Sequence, residues 1–352
     1  MATLTQAIRM ALHYGEEHLG VTDIFGEDVG APLGGVFTAT QGLKTAWNSP
    51  LDERGIIGQA MGIAFAGGKP VCEIQFADYI FNSIDMMKLA GNAHWSSYGQ
   101  YHVPMVLMTP NGAGIHGSIY HSHSIESIGS HVPGWKIVTP SNPKDAYGLM
   151  IAAIKDPNPV LYLIPKALLR STGEELIPGE PESAAELKSM IDAPLGDRTK
   201  WKPRWPKGLT DFTVPIGKSA RPREGRNGTI VTYARHLLMA VRAADELAAE
   251  ENLHFDVIDL RTLYPFDMEA VRESVQKTGR ILVINEDSEV TNYGEHVLRR
   301  VMDECFYHLQ TKPTLLAAAD VPGVGISPLL EEKTVPQYAD VKAAMRKLAT
   351  TD

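Results

Sequence analysis

Apolar positions along the chain alternate between helical and extended spacing. Leu4, Ile8, Leu12 and Leu19 recur at helical spacing, with Thr3 or Thr5 placed to cap the helix. "VTDIFGEDVG" then reads as a short strand ending in a turn. A helix is predicted from Glu53 to about Ala66, broken by Lys69 and Pro70, followed by the strand "VCEIQF". "SIDMMKLAGNAHW" is helical, "VPMVLMTP" a buried strand, "WKIVTP" a strand, "NPKDAYGLMIAAIK" a helix with Pro143 in its first turn, and "PVLYLIP" a strand. Strands separated by helices of this length predict a parallel sheet covered on both faces.

Residues 171–227 interrupt the rhythm. They are rich in proline and charge, as in "DRTKWKPRWPKG", and read as a linker or surface insertion. Trp201 and Trp205 either pin this segment to a surface or belong to a solvated loop. The alternation restarts with the strands "GTIVTYA", "HFDVIDL", "RILVINED" and "PTLLAAAD". Between and after them lie the helices "HLLMAVRAADELAAEE", "DMEAVRESVQKTG", "EHVLRRVMDECFYHL" and "YADVKAAMRKLA". A second, smaller α/β domain is expected.

The totals narrow the class. The chain has 352 residues, 44% hydrophobic and 21% charged, which suits two globular domains. A net charge of −9 argues against a nucleic-acid footprint and a polybasic membrane surface. The two cysteines, Cys72 and Cys305, form no CxxC and cannot build a zinc site by themselves. The first 20 residues have no secretory pattern, and no apolar run has spanning length. A cytoplasmic protein is expected.

Candidate chemistry clusters in two places. Glu53 heads a run made almost wholly of Gly, Ala, Ile and Met, where a carboxylate is costly unless paired or protonated. It could cap the helix, pair with Arg54 or a distant base, or bind a ligand nitrogen. Gly55, Gly58 and Gly62 lie inside the helical pattern and read as packing positions, not a phosphate loop. Neither GxGxxG before a helix, nor GxxxxGK[ST], nor the "GDG…N" that holds a magnesium diphosphate in thiamine enzymes occurs. Tyr79 is either core or a stacking surface for a flat ring. The second place is "GIHGSIYHSHS", which puts His116, His121 and His123 in one loop after a strand, where α/β sheets carry chemistry. Acid/base work suits imidazole; metal binding and a solvated loop are the other readings.

In series, "FGEDVG…GGVF", "ERGIIGQAMGIAFAG", "EIQFADYIF", "YHSHS", "HVPGWKIVTPSNPKDAYGLMIAAIKDPNPVLYL" and "VIDLRTLYPFD…SVQKTGRILVINED" resemble the beta chain of the thiamine-diphosphate-dependent 2-oxoacid dehydrogenases of the pyruvate and branched-chain type. The resemblance spans nearly the whole chain outside about 171–226. It implies an α/β protein of two doubly wound parallel-sheet domains. These are a transketolase-like pyrimidine-binding domain over 1–175, a linker or insertion over 176–226, and a transketolase C-terminal-like domain over 227–352.

The resemblance also assigns residues. Glu53 matches the carboxyl group that meets N1′ of the cofactor's aminopyrimidine, where a retained proton favours the imino tautomer. Tyr79, Gln75 and Leu51 match positions lining the same pocket. His121 matches the histidine assigned to proton transfer as the acyl group passes to a lipoyl arm, and His116 matches a second loop histidine; His123 stands in the same loop, in place of the family's more usual Gln or Asp. Ala153, Asp156 and Asn158 match the segment that holds a structural monovalent cation, potassium, in some members. The implied partners are an alpha chain carrying the magnesium diphosphate, in an α2β2 heterotetramer, and a lipoyl acyltransferase core. The chain departs from the pattern at Met108, usually arginine, at "HWSSYGQ", usually basic, and by the insertion. "EIQFADYIF" and "YHSHS" are nearer the branched-chain type. Two other readings fit the same domain pair. One is half of a split transketolase-like ketol transferase; the other is a non-catalytic assembly subunit.

Overall fold

The computed structural model describes residues 1–352 apart from Val36, Leu195, residues 197–199 and Asp352. Val36 of "GGVF" and the start of "DRTKWKPRWPKG" therefore lie outside the described residues. The chain divides into two compact units. The first comprises residues 1–110, 131–164 and 168–216; the second comprises 111–130, 165–167 and 217–352.

In the first unit, helix α1 (Leu4–Tyr14) begins at a reciprocal cap: Gln6 N donates to Thr3 Oγ1, and Thr3 N donates to Gln6 Oε1. One π-helical turn, Gly15–Leu19, continues it and stops at Gly20, whose φ of 76° is left-handed. The strands are β1 (Asp23–Gly26), β2 (Ala46–Asn48), β3 (Pro70–Glu73), β4 (Val106–Asn111), β5 (Lys136–Val138) and β6 (Val160–Pro165). Within this unit they run in the order β5-β6-β4-β3-β1-β2. β1 pairs in parallel with β2 and β3, β3 with β4, and β5 with β6. Helices α2 (Glu53–Phe65), α3 (Ile84–Ser96) and α5 (Pro143–Lys155) connect the strands, α5 starting from an Asn142 cap with Pro143 at its first position. The short helix α4 (Glu126–Ser130) belongs to the second unit.

The expected linker is part of this unit's core. Helix α6 (Ala184–Ile191) buries Leu187 and Ile191 in the same apolar cluster as Leu4, Ile8 and Met150. Val214 N donates to Gly148 O, and Trp205 stacks on His13 with centroids 4.1 Å apart. The reason is long-range burial: few apolar residues, spread without period, dock on a surface that α1 and α5 already provide. Of the two tryptophans weighed as pins, Trp205 is one.

The second unit carries β7 (Ala220–Arg223), β8 (Thr229–Thr232), β9 (Asp256–Asp259), the short β10 (Thr262–Tyr264), β11 (Ile281–Ser288) and β12 (Thr314–Ala318). Its sheet has the order β12-β11-β8-β9-β7. The strands pair in parallel except β7, an antiparallel edge strand on β9. Helices α7 (Arg235–Glu251), α8 (Met268–Thr278), α9 (Tyr293–Cys305), α10 (Pro328–Thr334) and α11 (Tyr338–Thr350) complete it. Ile230, Leu247, Val257, Leu282, Val341 and Met345 form its core. This is the expected doubly wound α/β architecture, with one antiparallel edge added.

The unit boundaries differ from a division at residues 175 and 227. Residues 111–130, which begin at the end of β4 and precede β5 in sequence, belong to the second unit. No helix among the described residues is long and apolar enough to cross a membrane.

Candidate active site

Two separate constellations emerge, one in each unit. In the first unit Glu53 occupies the first turn of α2 and is buried. It is not the cap: Asp52 is, its Oδ1 accepting from Gly55 N at 2.9 Å. A Cβ on Gly55 would stand 2.5 Å from Asp52 Oδ2, so glycine here serves the cap. Nor does Glu53 pair with Arg54, whose guanidinium faces Asp85 at 2.6 Å. Instead Asn82 Nδ2 donates to Glu53 Oε2 at 2.8 Å. The capping and Arg54 readings of Glu53 are thereby excluded, because shorter and better-placed partners satisfy those groups.

Around Glu53 the unit gathers acids that pattern reading missed. Burial, then Glu53 and Asp28, pushes Glu27 up to about 7. Its Oε1 is sealed from solvent with no hydrogen-bond partner. Glu73, at the end of β3, is fully buried and pushed up to about 8 by burial, then by Asp28 and Glu27. Its register partner on β4 is Met108, which offers no counter-charge. Gln75 Nε2 donates to Asp28 Oδ2. Tyr79 lies in the 3₁₀ turn Ala77–Ser83, half-buried, edge-on to Phe76 at 5.9 Å. Of the expected pocket residues, Gln75 joins the acids through Asp28. Leu51 lies on the surface of this chain, 80% exposed. "GEDVG" is a legible motif, but nothing local marks Glu27 as a buried acid.

In the second unit the histidine loop is tied down by carboxylates from distant sequence. Asn111 Oδ1 accepts from Ile125 N and its Nδ2 donates to Glu126 Oε1, closing the loop base. Gly112 N donates to His123 O. Ala113 N donates to Glu286 Oε2, which also faces Arg235 at 3.5 Å. Ser127 N donates to Asp287 Oδ2. Burial holds Glu126, Glu286 and Asp287 above the usual carboxylate range; Asp287 adds to this for Glu126, while Arg235 opposes it for Glu286. Ser122, His123, Ser124, Glu286 and Asp287 line a cavity of about 120 Å³.

His121 follows a short 3₁₀ turn, and its Nδ1–H donates to Gly117 O at 3.1 Å. A Cβ on Gly117 would stand 2.5 Å from His121 Cβ, so that close approach requires glycine. His116 is half-exposed, with Nδ1 3.3 Å from Glu331 Oε2. His123 is exposed at the cavity rim.

The proposed cation segment is a turn held by the chain's own charge. Asp156 caps α5, its N–H donating to Ala153 O. Its carboxylate pairs with Lys136 and accepts from Asn158 N. Among the described residues, one group of three potential metal ligands clusters, His13, Glu16 and Glu17. Its oxygens are already used: Glu16 Oε2 accepts from Lys44 N and Thr45 N, and Glu17 pairs with Lys44.

Comparison with known proteins agrees with this fold. Residues 2–172 match the family described as transketolase, pyrimidine binding domain, and residues 217–341 match transketolase, C-terminal domain. The 2-oxoisovalerate dehydrogenase subunit beta of Bacillus subtilis (strain 168) is 34% identical over 350 residues, 97% of each chain. The pyruvate dehydrogenase E1 component subunit beta of Acholeplasma laidlawii is 34% identical over 358 residues, 99% of this chain and 98% of its own. A solved structure titled "Split gene transketolase, inactive beta4 tetramer" is similar with a TM-score of 0.71 over 99% of both chains. At 18% identity that likeness is one of fold.

Proposed function

This chain belongs to the beta-subunit family of the 2-oxoacid dehydrogenases, and from that premise we propose that it supplies the pyrimidine-binding part of a thiamine-diphosphate site. The reaction is oxidative decarboxylation of a 2-oxo acid with acyl transfer to a lipoyl arm. The observation that carries this reading is the buried Glu53, fixed by Asn82 through Oε2 and accompanied by a sealed, unpartnered Glu27 Oε1.

Those residues fit an aminopyrimidine. A ring with donor and acceptor nitrogens needs a carboxyl group held in a dry site, and Glu53 with one oxygen taken by Asn82 presents the other to a ligand. Glu27, pushed up to about 7, holds or releases a proton near neutral pH. The half-buried Tyr79 adds an aromatic wall. Thiamine diphosphate, when bound, supplies the electron sink for decarboxylation. Glu53 would meet the ring nitrogen, Asn82 fixes its rotamer, and the apolar face of α2 would exclude water. His121, oriented by the bond from Nδ1–H to Gly117 O, would move a proton in the acyl-transfer half.

The partner follows from what this chain lacks. No "GDG…N" occurs, so the magnesium diphosphate would be held by an alpha chain. Leu51 is exposed, and a Cβ on Gly62 of α2 would meet nothing within 4 Å, as expected of a face that a second subunit covers. An α2β2 assembly docked on a lipoyl acyltransferase core is the arrangement we propose, in a reducing cytoplasm that suits two free, buried cysteines.

The test compares this chain by itself with its complex with a co-purified alpha chain. Thiamine diphosphate and magnesium are present, and pyruvate and branched 2-oxo acids are offered with an artificial electron acceptor. The expected result is silence for the isolated chain and turnover for the complex. Turnover of a ketose phosphate but of no 2-oxo acid would replace this reading with the ketol-transferase one.

A further inference from the structure

The histidine loop contains an interaction that the reading above does not use. Glu331, buried on α10, reaches the loop three times: Oε1 accepts from Gly114 N at 3.0 Å, Oε2 from His116 N at 3.1 Å, and Oε2 lies 3.3 Å from His116 Nδ1. Gly114 and His116 both have left-handed φ, 104° and 54°. That backbone aims nearby N–H groups at one point, a concavity that binds an anion. For glycine the conformation is free, but for histidine it is strained and persists only where the surroundings impose it. Here the imposing group is the Glu331 carboxylate.

The chemistry of the contact sets the ring. A carboxylate only accepts, so an Oε2 lying 3.3 Å from Nδ1 favours a proton on Nδ1 and leaves Nε2 for other work. The side chain is 51% exposed, while that of Glu331 is 6% exposed. A buried carboxylate orienting a half-open imidazole is the arrangement by which histidines are prepared for proton transfer. We propose that Glu331 is a positioning residue that holds His116 in its Nδ1–H tautomer, making His116 a second proton-transfer group, with His121, in the acyl-transfer half of the reaction. This rests on the function proposed above.

The test uses the assembled enzyme, with lipoyl-domain acylation and artificial-acceptor reduction measured side by side. His116→Ala and Glu331→Ala should each slow lipoyl acylation by roughly 10²-fold, the lower range for a lost acid/base group. Artificial-acceptor turnover should stay within about twofold, and the double variant should be no slower than His116→Ala. Glu331→Gln, which keeps one accepting oxygen where the carboxylate offers two, should fall between Glu331→Ala and the unsubstituted enzyme. Equal loss in both assays, or losses that multiply in the double variant, would overturn the proposal. Should Glu331→Ala not fold, the imidazole nitrogen shifts of histidine-labelled, unsubstituted enzyme decide: Nδ1–H at His116 supports the pair and Nε2–H refutes it. An unsubstituted assembly that turns over no 2-oxo acid would sink the function itself, while the tautomer measurement would still test the pair.

Discussion

Asn82 Nδ2 donates to Glu53 Oε2 at 2.8 Å, from the 3₁₀ turn Ala77–Ser83 to the first turn of α2. The two residues are 29 positions apart, and the bond fixes a carboxyl group that the helix itself does not need for capping. Glu53→Gln keeps the shape and removes the carboxyl group. In the assembled enzyme it should lower 2-oxo acid turnover by at least about 10²-fold. Asn82→Ala should lower it less, roughly 10-fold, because the carboxyl survives but loses its fixed rotamer. Steady-state turnover with an artificial acceptor checks both, and near-normal turnover of Glu53→Gln would remove Glu53 from the chemistry.

The His121 ring is held by Gly117 O, and a Cβ on Gly117 would stand 2.5 Å from His121 Cβ, at the root of that side chain. His121→Ala should therefore slow lipoyl acylation far more than artificial-acceptor turnover, by roughly 10² against about twofold. Gly117→Ala should follow the same split in milder form, since it displaces the ring without deleting it. Matching losses in the two assays would mean that His121 acts before acyl transfer or only in folding.

Much of this was legible from pattern, and the exceptions share a cause. β3, β4, β6, α2 and α5 announce themselves by apolar runs and by caps such as Asn142–Pro143. β2 does not, being three residues of edge strand in a loop without periodicity. α6 and Trp205 were hidden because docking on α1 is a long-range contact with no local signature. The same holds for the sites. Glu53 stood out as a charge heading an apolar run. Glu27 and Glu73 look like ordinary acids at strand ends until burial is known. Glu331 sits in "LLEEKT", which reads as a solvated helix face, yet it meets Gly114 across 217 positions of sequence. The histidine loop follows β4 in sequence but joins the second unit through Glu126, Glu286, Asp287 and Glu331.

Glu73 gives the stability of the chain a defined pH dependence. Burial, then Asp28 and Glu27, raises it from 4.5 to about 8 in the folded protein. A raised carboxyl binds its proton more tightly when folded, so the folded state holds more protons than the unfolded one between these values. Stability then falls as pH rises from about 4.5 and levels off above about 8. The full difference is roughly 5 kcal/mol, taken as an order of magnitude. Glu73→Gln cannot titrate and should flatten this dependence. Urea unfolding midpoints of the chain at pH 5, 7 and 9 measure it: the wild type should lose ground to the variant as pH rises. Parallel curves would show that Glu73 is not the responsible group.

Arg9 tests whether residues 168–216 are an integral part of the first unit. From α1 its guanidinium donates to Thr38 O at 2.8 Å and Ile191 O at 2.7 Å, and pairs with Asp192 at 3.0 Å. One buried side chain thus ties the loop at residue 38 and the end of α6 to the helix that forms the core. Arg9→Met keeps the apolar stem but leaves the Thr38 and Ile191 carbonyls without the guanidinium and the Asp192 carboxylate with Gln6 Nε2 as its remaining donor among the described residues. The expected cost is about 3 kcal/mol, the scale for breaking a buried pair by removing one partner. Trp205→Ala removes the stack on His13 and should cost less, about 1–2 kcal/mol. Both variants should lower the main unfolding transition of the first unit in calorimetry, because the segment shares its core with Leu4, Ile8 and Met150. If instead the main transition stays put and only a separate low-temperature step moves, the segment is a docked appendage whose apolar contacts add nothing to the unit beneath it.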